Sequence, residues 1–168
     1  NESNSTWTVD FKGWWRTQDG NKCEPLTIRD LFSRYILCIK PMRKKKLEEV
    51  QKVFEEVFRK YGLPERIRSD NGSPFVAVNS ILGLTRLSAW WLNLGIEPER
   101  IEPGKPGQNG SHERMHEDIA REIEGQPSEN IETESRRLEA WRRQYNERRP
   151  HQALNMATPF SFYKPSKR

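Results

Sequence analysis

Two cysteines, three histidines and no long apolar run set the first limits on this chain of 168 residues. Cys23 and Cys38 are too few for a disulfide framework, and their spacing makes no metal motif. Reduced, partly buried thiols are expected, as in an intracellular protein. No stretch approaches the roughly 20 consecutive apolar residues of a membrane-spanning helix, and no secretory leader pattern opens the chain. Hydrophobic residues are scarce altogether, at 33% with a mean hydropathy of −0.97. Six Trp, seven Phe and four Tyr offset that scarcity, because each aromatic side chain buries a large area. The expectation is one folded domain with a heavily charged surface, not a disordered chain. The sequence starts at Asn1 without Met and enters strand-like sequence at once, as a piece excised from a longer protein would.

Charge is plentiful. Lys and Arg number 29 against 24 Asp and Glu, a net charge of +5. An excess of that size is compatible with a polyanionic partner without requiring one. The basic residues cluster in Arg43-Lys44-Lys45-Lys46, expected to open the first helix against its dipole, and between Arg136 and Arg149. The first cluster reads equally as a solvated face or a DNA contact. The second could track a phosphate backbone or pair with Glu134, Glu139 and Glu147.

Periodicity supplies the elements. Trp7, Val9 and Phe11 alternate with Thr8 and Asp10, which predicts a strand with an acid on the face opposite its aromatics. Asp19-Gly20 signals a hairpin, and Cys23 to Arg29 and Ser33 to Lys40 read as two further strands of a meander. Leu47, Val50, Phe54, Val57, Phe58 and Tyr61 fall on one helical face, closed by Gly62 and Pro64. A strand from Glu65 to Ser69 follows, and a helix between two strands favours their parallel pairing, which brings Asp10 and Asp70 together. Asn71-Gly72 then turns the chain and leaves Asp70 at the strand's end, where ligands bind in open α/β sheets. Next come a helix from Thr85 to Leu94, a strand from Ile96 to Ile101, and an irregular loop from Pro103 to Gly110. Ser111 is expected to cap a helix running to Glu124, and a last helix covers Thr133 to Glu147. Trp7, Trp90, Trp91 and Trp141 are assigned to the core, and Trp14 and Trp15 to partial burial.

Glu113, in the first turn after the loop, is the third candidate acid. Forty-two residues separate it from Asp70, and 59 separate Asp70 from Asp10. Three carboxylates of this kind suit a hard divalent cation. His112-Glu113-Arg114-Met115-His116 also spells H-E-x-x-H, which on a helix would make two zinc ligands and a general base, the pattern of a metalloprotease.

Several stretches together carry a resemblance: Val9-Asp10-Phe11-Lys12-Gly13, Tyr61-Gly62-Leu63-Pro64, Ser69-Asp70-Asn71-Gly72-Ser73-Pro74-Phe75, Gln108-Asn109-Gly110 leading to Glu113-Arg114-Met115-His116, and Tyr145-Asn146-Glu147-Arg148-Arg149-Pro150-His151. In this order they resemble the catalytic core of integrase-type transposases of bacterial insertion sequences, which is similar to that of retroviral integrase. The resemblance implies an α/β, ribonuclease-H-like fold with a five-stranded mixed sheet flanked by helices. Residues 1–130 would form its core and residues 131–168 a C-terminal helix and tail. It further implies an Asp-Asp-Glu triad of Asp10, Asp70 and Glu113 holding two Mg²⁺ or Mn²⁺ ions. The implied partners are DNA, as element ends and target, and further copies of the chain. The implied location is the cytoplasm, at the nucleoid when acting. Lys12, Asn71, Lys105, Gln108, Asn109, Arg114, Arg148 and Arg149 are the candidate DNA contacts. The interval from Asp70 to Glu113 is longer than retroviral-type cores have, with the surplus placed between Val76 and Leu84. Glu113 is expected to stand away from the Asp pair without DNA. Two other readings remain alongside: a DNA-binding or dimerising module without chemistry, and a simple ribonuclease H.

Overall fold

The computed structural model describes residues 2–42, 46–70, 85–101 and 106–168. Strand β1 (Thr6–Phe11) lies at the centre of a mixed sheet. Asp19-Gly20 turns the chain from the two-residue β2 (Trp15–Arg16) into β3 (Lys22–Asp30), which returns antiparallel to β1 with Asp10 opposite Thr27. Strand β4 (Ile36–Met42) pairs antiparallel on the outer side of β3. Helix α1 (Leu47–Tyr61) then crosses over to β5 (Arg66–Ser69), which pairs parallel with β1. Helix α2 (Arg86–Asn93) leads to β6 (Glu97–Arg100), parallel to β5. The five-stranded expectation is met by β4-β3-β1-β5-β6, and β2 is a sixth, short strand pairing with the same β3 that pairs β1.

The two faces of the sheet carry two cores. Trp7 and Val9 join Leu26, Ile28 and Ile67 under α1 and α2, where Phe54, Phe58, Leu87 and Trp91 close the layer. On the other face, Trp15, Cys23, Ile36 and Ile39 pack against α3 (Gly110–Ile119) and α4 (Ile131–Arg148), through Met115, Ile119, Leu138, Trp141 and Tyr145. Burying each such side chain contributes about 1.5–3 kcal/mol, so two layers can form despite the low apolar content. Trp90 is only partly buried, Trp15 is buried, and Trp14 is 51% exposed beneath Arg16 and Lys22.

Boundaries differ from the sequence reading at several places, strand β4 for one covering Ile36–Met42 where Ser33 to Lys40 is expected. Asn109, not Ser111, stands at the N-cap of α3, and it makes no side-chain cap bond. Residues 106–109, read as irregular, form a 3-10 turn. Beyond Ile119 the helix widens into a π turn (Ala120–Glu124), where the Gly125 N–H reaches back five residues to the Ala120 carbonyl. Helix α1 starts at Leu47, after the basic run, whose Arg43, Lys44 and Lys45 lie outside the described residues.

Two polar fastenings complete the fold. Asn146 of α4 accepts a bond from the Ile36 N–H at 2.7 Å and donates one to the Ile36 carbonyl at 2.9 Å. Arg142 donates to the same carbonyl, so the helix covers the open edge of β4. After the short α5 (Pro159–Phe162) the tail crosses the start of the chain. Tyr163 stacks on Tyr35 at 4.4 Å and donates to Asn4, while Asn4 donates to the Lys164 carbonyl and accepts from the Trp7 indole. Gly62, at φ +80°, passes so close to the tail that a Cβ there would meet the Ser166 carbonyl at 2.7 Å.

Candidate active site

Parallel pairing of β1 with β5 sets Thr8 opposite Arg68, and two further residues along each strand bring Asp10 level with Asp70. The two carboxyl groups stand close enough that Asp70 makes the Asp10 proton harder to lose. Asp10 also accepts the Phe11 N–H at 2.9 Å. Burial, first, and the charge of Asp70, second, push the Asp10 carboxyl up from its usual 3.8 to about 7. Glu113, exposed in the first turn of α3, lies near enough that its charge adds to the rise. Among the described residues no three His, Cys, Asp or Glu side chains stand in an ion-holding arrangement, and of the charges acting on Asp10 that of Asp70 is larger than that of Glu113.

Lys12, the cation nearest in sequence, is engaged elsewhere: its ammonium meets Glu124 at 2.9 Å and lies over the Trp15 ring. Oxygen donors held together, one retaining a proton to about pH 7, are the donor set that hard divalent ions take.

The H-E-x-x-H residues do other work. His112 is fully buried and His116 is 9% exposed, with their rings edge to face at 4.7 Å. His112 Nδ1 lies 2.6 Å from the Thr8 hydroxyl and its Nε2 lies 2.7 Å from the Thr27 hydroxyl. His116 Nε2 meets that same Thr27 oxygen at 2.6 Å. Burial holds both rings neutral, His112 well below its usual value and His116 at about 3, with the Lys12 and Arg29 charges adding to the effect on His116. Three of the four ring nitrogens therefore serve threonine hydroxyls, and Glu113 points to solvent, which overturns the zinc-protease alternative.

Next to this strip the start of α3 is gripped by Arg29 and Arg34. The Arg29 guanidinium donates to the Ser111 carbonyl at 2.8 Å and to its hydroxyl at 2.5 Å, and Arg34 donates to the hydroxyl at 2.9 Å. None of Thr8, Thr27, Arg29 or Arg34 was singled out by sequence. The available signal was the alternation that put Thr8 on the same face as Asp10.

The candidate DNA contacts are scattered. Arg114 and Arg148 are exposed, Asn109 is 6% exposed, and Arg149 bonds Asp118 and Glu122 while its guanidinium lies over Trp141 and Tyr145. Gln108 lies in the 3-10 turn. Asn71 and Lys105 fall outside the described residues.

Residues 1–106 match a family described as "Integrase core domain", and residues 94–159 match a second family of the same description. The chain is 28% identical over 160 residues to an uncharacterized 31.7 kDa protein of insertion element IS407 from Burkholderia multivorans, covering 95% of this chain and 55% of that protein. It is 29% identical over 160 residues to an uncharacterized 39.2 kDa protein of insertion element IS476 from Xanthomonas euvesicatoria, covering 95% of this chain and 44% of that one. The chain thus spans about half the length of these relatives. Among solved structures it is similar to the HTLV-2 integrase catalytic core domain in complex with magnesium, with a TM-score of 0.67 and 15% identity, covering 97% of this chain and 98% of that one. That likeness shows the ribonuclease-H-like fold.

Proposed function

Because the chain belongs to the integrase core domain family, we propose that it is the catalytic domain of an insertion-element transposase, cutting and joining DNA by metal-dependent phosphoryl transfer. One observation supports this above the others: Asp10 and Asp70, far apart in sequence, come level at the ends of adjacent parallel strands, where burial and the Asp70 charge push the Asp10 carboxyl up to about 7. Asp10, Asp70 and Glu113 are the residues that would hold Mg²⁺ or Mn²⁺. When bound, the ions would supply positive charge against the attacking and leaving oxygens of an in-line displacement at phosphorus.

The chain's own residues supply the rest. To hold an ion Asp10 would release its proton to solvent, and the Phe11 N–H holds the orientation of its carboxylate. Glu113 sits in the first turn of α3, where the positive helix end favours a carboxylate. The same site would serve hydrolysis at the element end, exposing a 3′-hydroxyl, and attack of that hydroxyl on target DNA. Arg114 and Arg148, exposed on α3 and α4, are the candidates for phosphate contact, and the proposed assembly is two or more copies on DNA at the nucleoid.

The test is strand transfer by the full-length protein, with calorimetry of Mg²⁺ and Mn²⁺ binding, on the wild type, Asp10→Asn and Asp70→Asn. Loss of both ion binding and strand transfer in each variant is expected. Strand transfer surviving in Asp10→Asn overturns the assignment. DNA binding without any strand transfer in the wild type leaves a binding module instead.

A further inference from the structure

The apolar seam between α3 and the sheet is interrupted at one place by a cluster of hydroxyls and imidazoles, centred on a single atom. Thr27 Oγ1 lies 3.1 Å from the Asp10 carbonyl oxygen, 2.7 Å from His112 Nε2 and 2.6 Å from His116 Nε2. Thr27 is fully buried and stands directly opposite Asp10 in the β1–β3 ladder. From this geometry we propose that Thr27 is a positioning residue for the acid cluster, a single hydroxyl that fixes the strand bearing Asp10 and the helix bearing Glu113 relative to one another. The proposal rests on the reading of those acids given above.

A hydroxyl has one proton and two lone pairs, and here the three contacts use all of them. Thr27 donates to the Asp10 carbonyl and accepts an N–H from each imidazole. Both rings then carry their proton on Nε2, which leaves His112 Nδ1 as an acceptor for the Thr8 hydroxyl at 2.6 Å. The one proton and both lone pairs of the Thr27 hydroxyl are thereby used, the condition under which a buried polar group does not destabilise a fold.

Why a polar cluster should stand here follows from direction. Met115 and Ile119, the apolar contacts of α3, would tolerate some rotation or sliding of the helix over the sheet. Hydrogen bonds to one oxygen do not, because they weaken steeply when bent. His112 and His116 are one helical turn apart and both end on Thr27, so the helix is held in azimuth and in height together. Glu113 follows His112 directly. A slip of one residue would swing its carboxylate by about 100° around the helix axis. Arg29 and Arg34 on Ser111 hold the same end of α3.

Thr27→Val replaces the hydroxyl by a methyl of nearly equal size, and Thr27→Ser keeps the hydroxyl. Both are compared with the wild type for Mg²⁺ and Mn²⁺ binding by calorimetry, amide hydrogen exchange along α3, thermal midpoint and DNA binding. Thr27→Val is expected to weaken ion binding by about 10-fold to 100-fold, as loss of a group that orients ligands does. It should also speed exchange along α3 and leave DNA affinity unchanged. Thr27→Ser should restore ion binding to within about threefold of the wild type, because the orienting hydroxyl is still there. A Thr27→Val protein with a lowered thermal midpoint but unchanged ion binding would show a merely structural role and overturn the proposal. Should Thr27→Val not fold, His116→Leu removes one of the two helix bonds, and unchanged ion binding there overturns the proposal equally. If the wild type binds neither ion, the reading of the acids fails on its own account. Unchanged exchange along α3 in Thr27→Val, or in His116→Leu where Thr27→Val does not fold, would then refute the fastening itself.

Discussion

Replacing Asp10 by Asn should stabilise the metal-free protein while removing its proposed chemistry. Asp10 titrates near pH 7 when folded against 3.8 ordinarily, so the folded state still holds the proton where the unfolded chain has released it. Stability is therefore lost as pH climbs from 3.8 towards 7, and the loss is absent below 3.8. At about 1.4 kcal/mol per pKa unit, the gap sets a ceiling of about 4 kcal/mol at pH 7.5. Asp10 is only partly shielded from solvent, so about half of that, ~2 kcal/mol, is the working expectation.

Asn keeps the shape and cannot ionise. In urea with EDTA at pH 7.5, Asp10→Asn should unfold about 1 M later than the wild type, taking a slope of ~2 kcal/mol/M. At pH 4 the gap should shrink to a few tenths of a kcal/mol, because the wild-type carboxyl is protonated in the folded state and already about 40% protonated in the unfolded one. With Mg²⁺ in excess the wild type should gain and the variant should not, since only binding to the folded state stabilises it. Equal midpoints at pH 7.5, or a gap that does not narrow towards pH 4, would refute the strain assigned to Asp10.

Three further outcomes are expected. Glu113→Gln should lower strand transfer at least about 1,000-fold in the full-length protein, as loss of a charge used in the transition state does; DNA affinity should hold, and the reverse result with Glu117→Gln would move the third acid. Zinc titrated by calorimetry should show no tight site, and His116→Ala should leave the zinc isotherm unchanged, because the ring serves Thr27. Asn146→Ala should cost about 2–3 kcal/mol in urea unfolding by leaving the Ile36 N–H and an edge carbonyl less well paired, and a cost below ~0.5 kcal/mol would show that water replaces it.

The parts of this fold readable in advance are those with a local period. The alternation from Thr6 to Phe11 and the three-and-four spacing from Leu47 to Tyr61 gave β1, α1 and the parallel return to β5, and with them the meeting of Asp10 and Asp70. What escaped has no local signature. His112 finds Thr8 across 104 residues and Thr27 across 85, so H-E-x-x-H reads as a metal pattern until the threonines are seen. The π turn at Ala120–Glu124 breaks no composition rule, since one widened turn uses the same residues as a helix. Arg149, a candidate for DNA by its place in a basic stretch, meets Asp118 and Glu122 from a different helical segment.

The tail that closes over the start of the chain has a consequence for the order of folding during synthesis. Asn4 is bonded to Lys164, 160 residues later, and to Tyr163. At roughly 5–20 residues per second, a ribosome needs about 10–30 s to make the stretch between them. For that interval Trp7, whose indole Asn4 accepts, sits in a sheet whose seal does not yet exist. A stall before Tyr163 would leave the aromatic cluster of Tyr35 and Tyr61 uncovered at the newborn domain's surface, open to chaperones and proteases.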